Sequence, residues 1–374
     1  MSQRSVLLGT EAWPNAGRGH HARLATVGDA LRARGWQVIQ PPADSTPRLA
    51  PRTDRLGDGS FAETMAGFGL DDTEGMKARM EGWMLHLGAA LPDLVIADLS
   101  PHLVLAARDR FPVLTVGNGF FLPPPGLSPL PALPGLGAPR IDQDRLLAGI
   151  NTVLDDFGRP ALSRLSEVMS GDRPMVMVPE PLDPYRGQRA IPRHDVILPP
   201  GVHGRGTGGS AIFAYASGST PMAQRVHIAE AMTLLSQPRI AVLPDLPAQV
   251  AGRLHDSGTR LIQHNLPLAD IAAQARLVVH TGSLGLAAAM LHAGVPQLAL
   301  HTDGEKSLTA AALAEIGVGK QMRLDTMPPV PEVAEAIRKA SMDRSMQAAA
   351  AAQACAPWTD PIPALVAAAE DLAA

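Results

Sequence analysis

Three short stretches of this 374-residue sequence combine glycine with residues that handle protons or anions. The first is GRGHHARL, where Gly17 and Gly19 lead into His20 and His21. The second is SGSTP, running from Ser217 through Gly218, Ser219 and Thr220 to Pro221. The third is HTGSLG, with His280, Gly282, Ser283 and Gly285. Each follows a short apolar run and precedes a helical pattern, so each reads as a turn from strand to helix. At such a turn the first helical N–H groups have no intrahelical partner and carry partial positive charge, which suits a phosphate. Glycine lets a ligand come close to the backbone. A histidine at a helix start titrates near neutrality and can take a proton from a hydroxyl. Taken singly these turns are common in α/β proteins. The first is spaced too loosely for a dinucleotide fingerprint, and GEKS at 304–307 lacks the upstream glycines of a P-loop.

The elements that must position these turns follow a regular alternation. SVLLG from Ser5 reads as a buried strand, His20 to Arg34 as a helix and GWQVIQ from Gly35 as a second strand, which makes one βαβ unit. TEGMKARMEGWMLHLGAAL is helical, DLVIADLS from Asp93 a strand, the segment from Pro101 a helix and PVLTVGNG from Pro112 a strand. Residues 122–139 are too rich in proline and glycine for regular structure and read as a long loop over a surface or cleft, with helix resuming over Gln143 to Met169. The same alternation restarts at AIFAYAS from Ala211, with a helix from Pro221 to Leu235. It runs on through RIAVLP, RLIQH, LADIAAQA, RLVVH, a helix from Leu284, PQLALH and a helix from Glu305 to Ile316. Ser219 or Thr220 is the expected N-cap of the helix opening at Pro221. The fold class is α/β with parallel sheets. An amino-terminal domain over 1–200, a glycine-rich linker at 201–210, a second domain over 211–355 and a terminal helix within 356–374 are expected.

Composition narrows the function. Lysine and arginine number 32 against 36 acids, a formal charge of −4, which gives neither a nucleic-acid footprint nor a polybasic membrane patch, so small molecules are the expected ligands. Cys355 is the single cysteine, which excludes an internal disulfide and a cysteine-based metal cluster. No apolar stretch approaches the roughly 20 residues of a membrane helix, and the amino terminus lacks a signal-like apolar region. A cytoplasmic protein is expected. The acid pairs at 71–72 and 155–156 and the DGE at 303–305 read as solvated faces rather than metal-binding acids, and the methionines of MKARMEGWML as core or cleft lining.

The stretch RLVVHTGSLGLAAAMLHAGVPQLALHTDGEKSLTAAALAEIGVG resembles the donor-binding signature of GT-B glycosyltransferases of the macrolide and UDP-glycosyltransferase type. GRGHHARL occupies the place of that family's acceptor-side turn, and DLVIADLSPHLVLAAR with VGNGFFLPPPG is similar to bacterial members. The resemblance implies two facing Rossmann-like domains, a terminal helix crossing back to the first, and a nucleotide sugar as co-substrate with no cofactor and no metal. It implies inverting transfer from a UDP or dTDP sugar to a hydroxyl of a small or amphipathic acceptor. His20, or His21 in its place, would be the base, and Asp98 at the end of its strand would orient it, although Asp98 could equally cap the helix at Pro101. The implied donor contacts are Ser217, Gly218, Ser219, Thr220, Asn265, Leu266, His280, Gly282, Ser283, Gly285, Glu305 and Lys306. The implied acceptor contacts are His21, Asn118, Phe120 and Phe121.

The sequence departs from that pattern at three positions. Ser283 stands where a second glycine is usual, Leu286 where a hydroxyl residue is usual, and Lys306 where the sugar-reading pair ends in glutamine. Lys306 could bind an anionic sugar or replace a phosphate contact. Two other readings stay open beside transfer: a catalytically impaired relative that binds or activates a biosynthetic complex, and an epimerase or hydrolase of nucleotide sugars.

Overall fold

The protein is described from a computed structural model covering residues 3–11, 19–42, 59–204, 208–264 and 266–374. Gly17 and Asn265, expected at the first turn and in the donor set, lie outside the described residues. The chain divides into two compact units, residues 1–197 with 360–374, and residues 198–359.

In the first unit the elements run β1 (Ser5–Thr10), α1 (Gly19–Ala33), β2 (Gln37–Ile39), α2 (Phe61–Gly67), α3 (Thr73–Ala90), β3 (Leu94–Asp98), α4 (Pro101–Ala107), β4 (Val113–Gly117), α5 (Gln143–Asp156), β5 (Arg173–Met177) and β6 (Arg193–His194). In the second they run β7 (Ala211–Tyr215), α6 (Met222–Thr233), β8 (Arg239–Val242), α7 (Ala248–Asp256), β9 (Arg260–Leu261), α8 (Leu268–Gln274), β10 (Ala275–His280), α9 (Leu284–Ala293), β11 (Gln297–His301), α10 (Gly304–Glu315), β12 (Gly319–Arg323), α11 (Val330–Met342) and α12 (Arg344–Gln353). The last helix, α13 (Ile362–Leu372), belongs to the first unit, where Leu365, Ala368 and Ala369 are buried with residues of α1 and the sheet.

Each unit holds one parallel sheet of six strands. The first has the order β2-β1-β3-β4-β5-β6 and the second β12-β11-β10-β7-β8-β9. β3 and β4 are buried at every position, as strands covered by helices on both faces must be. In each sheet the chain first winds outward in one direction and then returns to continue on the other side of its first strand. The reversal falls between β1 and β3 in the first sheet and between β7 and β10 in the second. At such a point the loops leaving two adjacent strands splay apart and open a crevice at the strands' carboxyl ends.

Four local expectations need correction. The helix expected over 143–169 ends at Asp156, because Gly158 takes a φ of +61° and Pro160 cannot continue it; a 3₁₀ turn then covers Leu165–Met169. The helix expected from Pro221 begins at Met222 with Pro221 itself as its N-cap, so neither Ser219 nor Thr220 caps it. The segment expected as a linker lies within the second unit, and its Val202 is fully buried beside Phe213 and Ile271. Residues 122–139 do not simply pass over a surface: Leu122, Leu130, Leu133 and Leu136 are buried. Gln143 bonds both the N–H and the carbonyl of Leu130, and Glu63 accepts from the N–H groups of Arg140 and Ile141.

Candidate functional site

In the first unit Thr10, the last residue of β1, is the register partner of Asp98, the last residue of β3, so Asp98 stands at the switch point. His20 lies in the first turn of α1, which leaves the same end of β1. Its Nδ1 is 2.8 Å from Asp98 Oδ1. The carboxylate can only accept, so Nδ1 carries the ring proton and Nε2 keeps its lone pair for another group. His20 remains partly accessible at 14%, whereas Asp98 is completely buried. His21 is exposed.

Sequence reasoning missed Arg23, one helical turn beyond His20. Its Nε donates to Asp98 Oδ2 at 2.7 Å and its Nη2 to Oδ1 at 3.1 Å, a two-bond fork. The i, i+3 spacing of histidine and arginine at a helix start was the available signal. Burial alone would raise the Asp98 carboxyl, but the Arg23 charge and then the His20 ring outweigh it and hold the group below the usual carboxylate range. Asp98 is thus an anion shared by a fixed cation and an imidazole N–H.

The turn after β4 brings aromatic rings to this pair. Asn118 Oδ1 accepts from the Phe121 N–H at 2.9 Å, and Phe121 meets the His20 ring edge to face with centroids 5.6 Å apart. Phe120 and Phe121 are both buried, packed on each other and on Phe61 of α2, so in this arrangement they shape the surroundings of His20 more than they offer open surface. A buried ion pair pins the turn from below. Arg189 donates to Asp183 at 2.6 Å and to the carbonyls of Gly119 and Leu122 at 2.7 Å each.

In the second unit the turns after β7 and β10 are neighbours, since His280 is the register partner of Tyr215. Ser217 Oγ meets Ser219 Oγ at 2.7 Å and Thr220 Oγ1 at 3.4 Å; Ser219 and Gly218 are exposed while Thr220 is buried. Gly282 has a φ of +93°, and a Cβ there would fall 2.7 Å from the Lys306 carbonyl oxygen, so the turn is folded against the start of α10 in a way open to glycine alone. α9 then begins with Ser283 as its N-cap and no side-chain capping bond, which leaves the N–H groups of Leu284, Gly285 and Leu286 without intrahelical partners. Gly285 is exposed, with open space where a side chain would be. This helix start can receive an anion.

Several expected donor contacts are placed otherwise. His280 is fully buried, and its Nδ1 accepts from the Gly282 N–H at 3.0 Å. Its Nδ1 therefore builds the turn and the Gly282 N–H is already used, while its buried Nε2 has no hydrogen-bond partner. Burial lowers its pKa to about 4, so it is neutral, with the remaining ring proton on Nε2. Leu286 is buried in the core cluster that also holds Val278 and Met290, so a hydroxyl at that position would lie in the core in this packing. Leu266 likewise packs on the core. Lys306 is not a free cation: its ammonium lies 2.5 Å from Asp303, whose other oxygen caps the Lys306 N–H at 3.0 Å. Asp303, expected from the sequence as part of a solvated face, neutralises the charge that an acidic sugar would need. Glu305 lies partly buried in the same first turn.

Among the described residues, no three His, Cys, Asp or Glu side chains gather to hold a metal, and no helix is long and apolar enough to cross a membrane. A cavity of about 480 Å³ bordered by Gly209, Arg239 and Arg260 lies at the opposite, amino-terminal ends of β7 to β9, away from these turns.

Comparison with known proteins agrees with this layout. Residues 241–372 match the family profile "Erythromycin biosynthesis protein CIII-like, C-terminal domain". No curated protein is significantly similar in sequence. Among solved structures, the glycosyltransferase VinC in complex with DTDP is 16% identical with a TM-score of 0.64, over 99% of this chain and 100% of that one. CalG4, the calicheamicin glycosyltransferase, is 17% identical with a TM-score of 0.65, over 100% and 98%. The spinosyn rhamnosyltransferase SpnG complexed with spinosyn aglycone is 17% identical with a TM-score of 0.63, over 98% and 99%. The chain has the GT-B glycosyltransferase fold along its whole length.

Proposed function

We propose that this GT-B chain is an inverting glycosyltransferase that moves a sugar from a nucleoside diphosphate, dTDP or UDP, to a hydroxyl of a small or amphipathic acceptor. The observation that carries the reading is the His20–Asp98 pair at one sheet's switch point, matched by an uncapped helix start at the other's. His20 Nε2 would take the proton of the acceptor hydroxyl as its oxygen attacks the anomeric carbon, with Asp98 balancing the imidazolium that forms. The departing diphosphate would rest on the Leu284 to Leu286 N–H groups, with the Ser217 and Ser219 hydroxyls beside it and without a metal or cofactor. Glu305 would be placed to contact the sugar. The relatives solved with DTDP and with an aglycone, and the family name drawn from erythromycin biosynthesis, support a deoxythymidine donor and a secondary-metabolite acceptor.

The test is thermal stabilisation by dTDP and UDP together with turnover of their sugars in the presence of hydroxyl acceptors. Nucleotide-specific stabilisation with acceptor-dependent release of the diphosphate supports transfer. Donor consumption without an acceptor would favour hydrolysis or epimerisation, and tight nucleotide binding without turnover would favour a binding partner.

A further inference from the structure

Directly after β1, Glu11 is buried at 6% exposure, and donors from two other elements occupy its carboxylate. Trp83 of α3 gives its indole N–H to Oε1 at 2.5 Å. His102, the second residue of α4, reaches Oε2 with its backbone N–H at 3.3 Å and its ring Nδ1 at 3.0 Å. The His102 ring is fully buried and its Nε2 has no protein partner, so the ring is fixed by Glu11 alone. The Glu11 backbone N–H donates to the Leu99 carbonyl at 3.2 Å. Leu99 immediately follows Asp98, is buried, and has a φ of +50°, a left-handed conformation that a leucine holds only when its surroundings impose it.

Glu11 therefore brackets the turn that carries Asp98. Its amide holds the strained residue's carbonyl, and its carboxylate holds the start of the helix that follows. The glutamate also sits one residue beyond Thr10, the register partner of Asp98.

We propose that Glu11 is a positioning residue: tied to Trp83 and His102, it keeps Leu99 in the left-handed conformation that aims Asp98 at His20. The proposal rests on the base-and-orienter reading of that pair. A carboxylate is needed because its two oxygens accept from separate buried donors, Oε1 from Trp83 and Oε2 from His102, and an amide would turn a donating NH2 toward one of them.

The experiment is the NMR titration of the His20 ring in wild type, in Glu11→Gln and in Asp98→Asn, the last fixing the value for complete loss of the pair. In Glu11→Gln the His20 titration curve is expected to move toward the Asp98→Asn curve. The Trp83 indole N–H resonance should move with it, and kcat should drop about tenfold with KM for the donor little changed. A folded Glu11→Gln protein with an unaltered His20 titration overturns the proposal, even if the Trp83 resonance moves. Should that variant fail to fold, Trp83→Phe removes one donor and leaves the carboxylate; a partial shift supports the proposal and an unchanged titration overturns it. The base assignment is tested separately, since full turnover by His20→Gln would sink that assignment without altering the titration result.

Discussion

Arg23 grips both oxygens of Asp98, at 2.7 and 3.1 Å, from the same face of α1 that presents His20. One buried carboxylate is therefore shared between a permanent cation and a proposed base. Arg23→Met leaves that carboxylate with the histidine as its single strong partner. With the larger of its two holding charges gone, the Asp98 carboxyl is expected to rise, and activity is expected to begin falling at a higher pH on the acid side than in wild type. Stability should fall by about 3 kcal/mol, as it does when one partner of a buried pair is removed. Arg23→Lys keeps the charge without the fork and should lie between the two. Denaturant unfolding and the pH–rate profile check both parts.

Gly282 and Gly285 make a matched contrast. An alanine at 282 meets the Lys306 carbonyl and must adopt a φ of +93°, so Gly282→Ala should cost about 1–3 kcal/mol and weaken donor binding at least tenfold. At 285 there is open space and helical backbone, so Gly285→Ala should be as stable as wild type or slightly more so while still weakening nucleotide binding. Calorimetric titration with dTDP on both variants separates a damaged turn from a blocked one.

His280→Ala should act on the same turn from beneath. It orphans the buried Gly282 N–H and leaves a cavity, at a cost of about 2–4 kcal/mol, and it should weaken donor binding by loosening the turn.

Acid should destabilise the protein in two steps with different owners. His280 is held neutral with a folded-state pKa of about 4, below its unfolded value near 6.5. The unfolded chain binds the extra proton first, so its contribution is complete above the unfolded value and is lost as pH falls through the folded one, about 3 kcal/mol in all. Glu63 follows the same sign at lower pH. Burial would raise its carboxyl, but the N–H groups of Arg140, Ile141 and Ser60 and the Ser60 hydroxyl hold it down, so its share is lost as pH falls below the ordinary glutamate range. Thermal unfolding from pH 8 to 3 should show the upper step vanish in His280→Gln and the lower one weaken in Glu63→Gln.

The strand ends and glycine turns were legible because buried strands and turn residues leave local marks: β1, β3, β7 and β10 were all placed by their apolar runs and His20 by the turn before its helix, whereas Asp98 was singled out only through the family resemblance. α2 was not read, since Phe61 to Gly67 is buried on every side and has no polar face to give a period; its one local sign is the capping box of Ser60 and Glu63. Burial left His280 only partly legible. A histidine closing a core strand suggested a ligand, but its partner is a backbone N–H two residues on, which no residue type announces. The pairing of Lys306 was hidden because Asp303 lies just outside the helix as its cap. Arg23, Arg189 and Glu11 act on residues 67 to 91 positions away, and pairings of that range become visible only in the fold.

The central claim is that His20 deprotonates an acceptor hydroxyl while the other unit holds the nucleotide. The most direct measurement is product formation by wild type and His20→Gln from dTDP- and UDP-sugars with a panel of hydroxyl acceptors, with the anomeric configuration read by NMR. The account predicts an inverted glycoside from wild type, and a His20→Gln protein that binds dTDP as tightly but turns over at least 100-fold more slowly. A His20→Gln protein of undiminished activity, or a product of retained configuration, would contradict it.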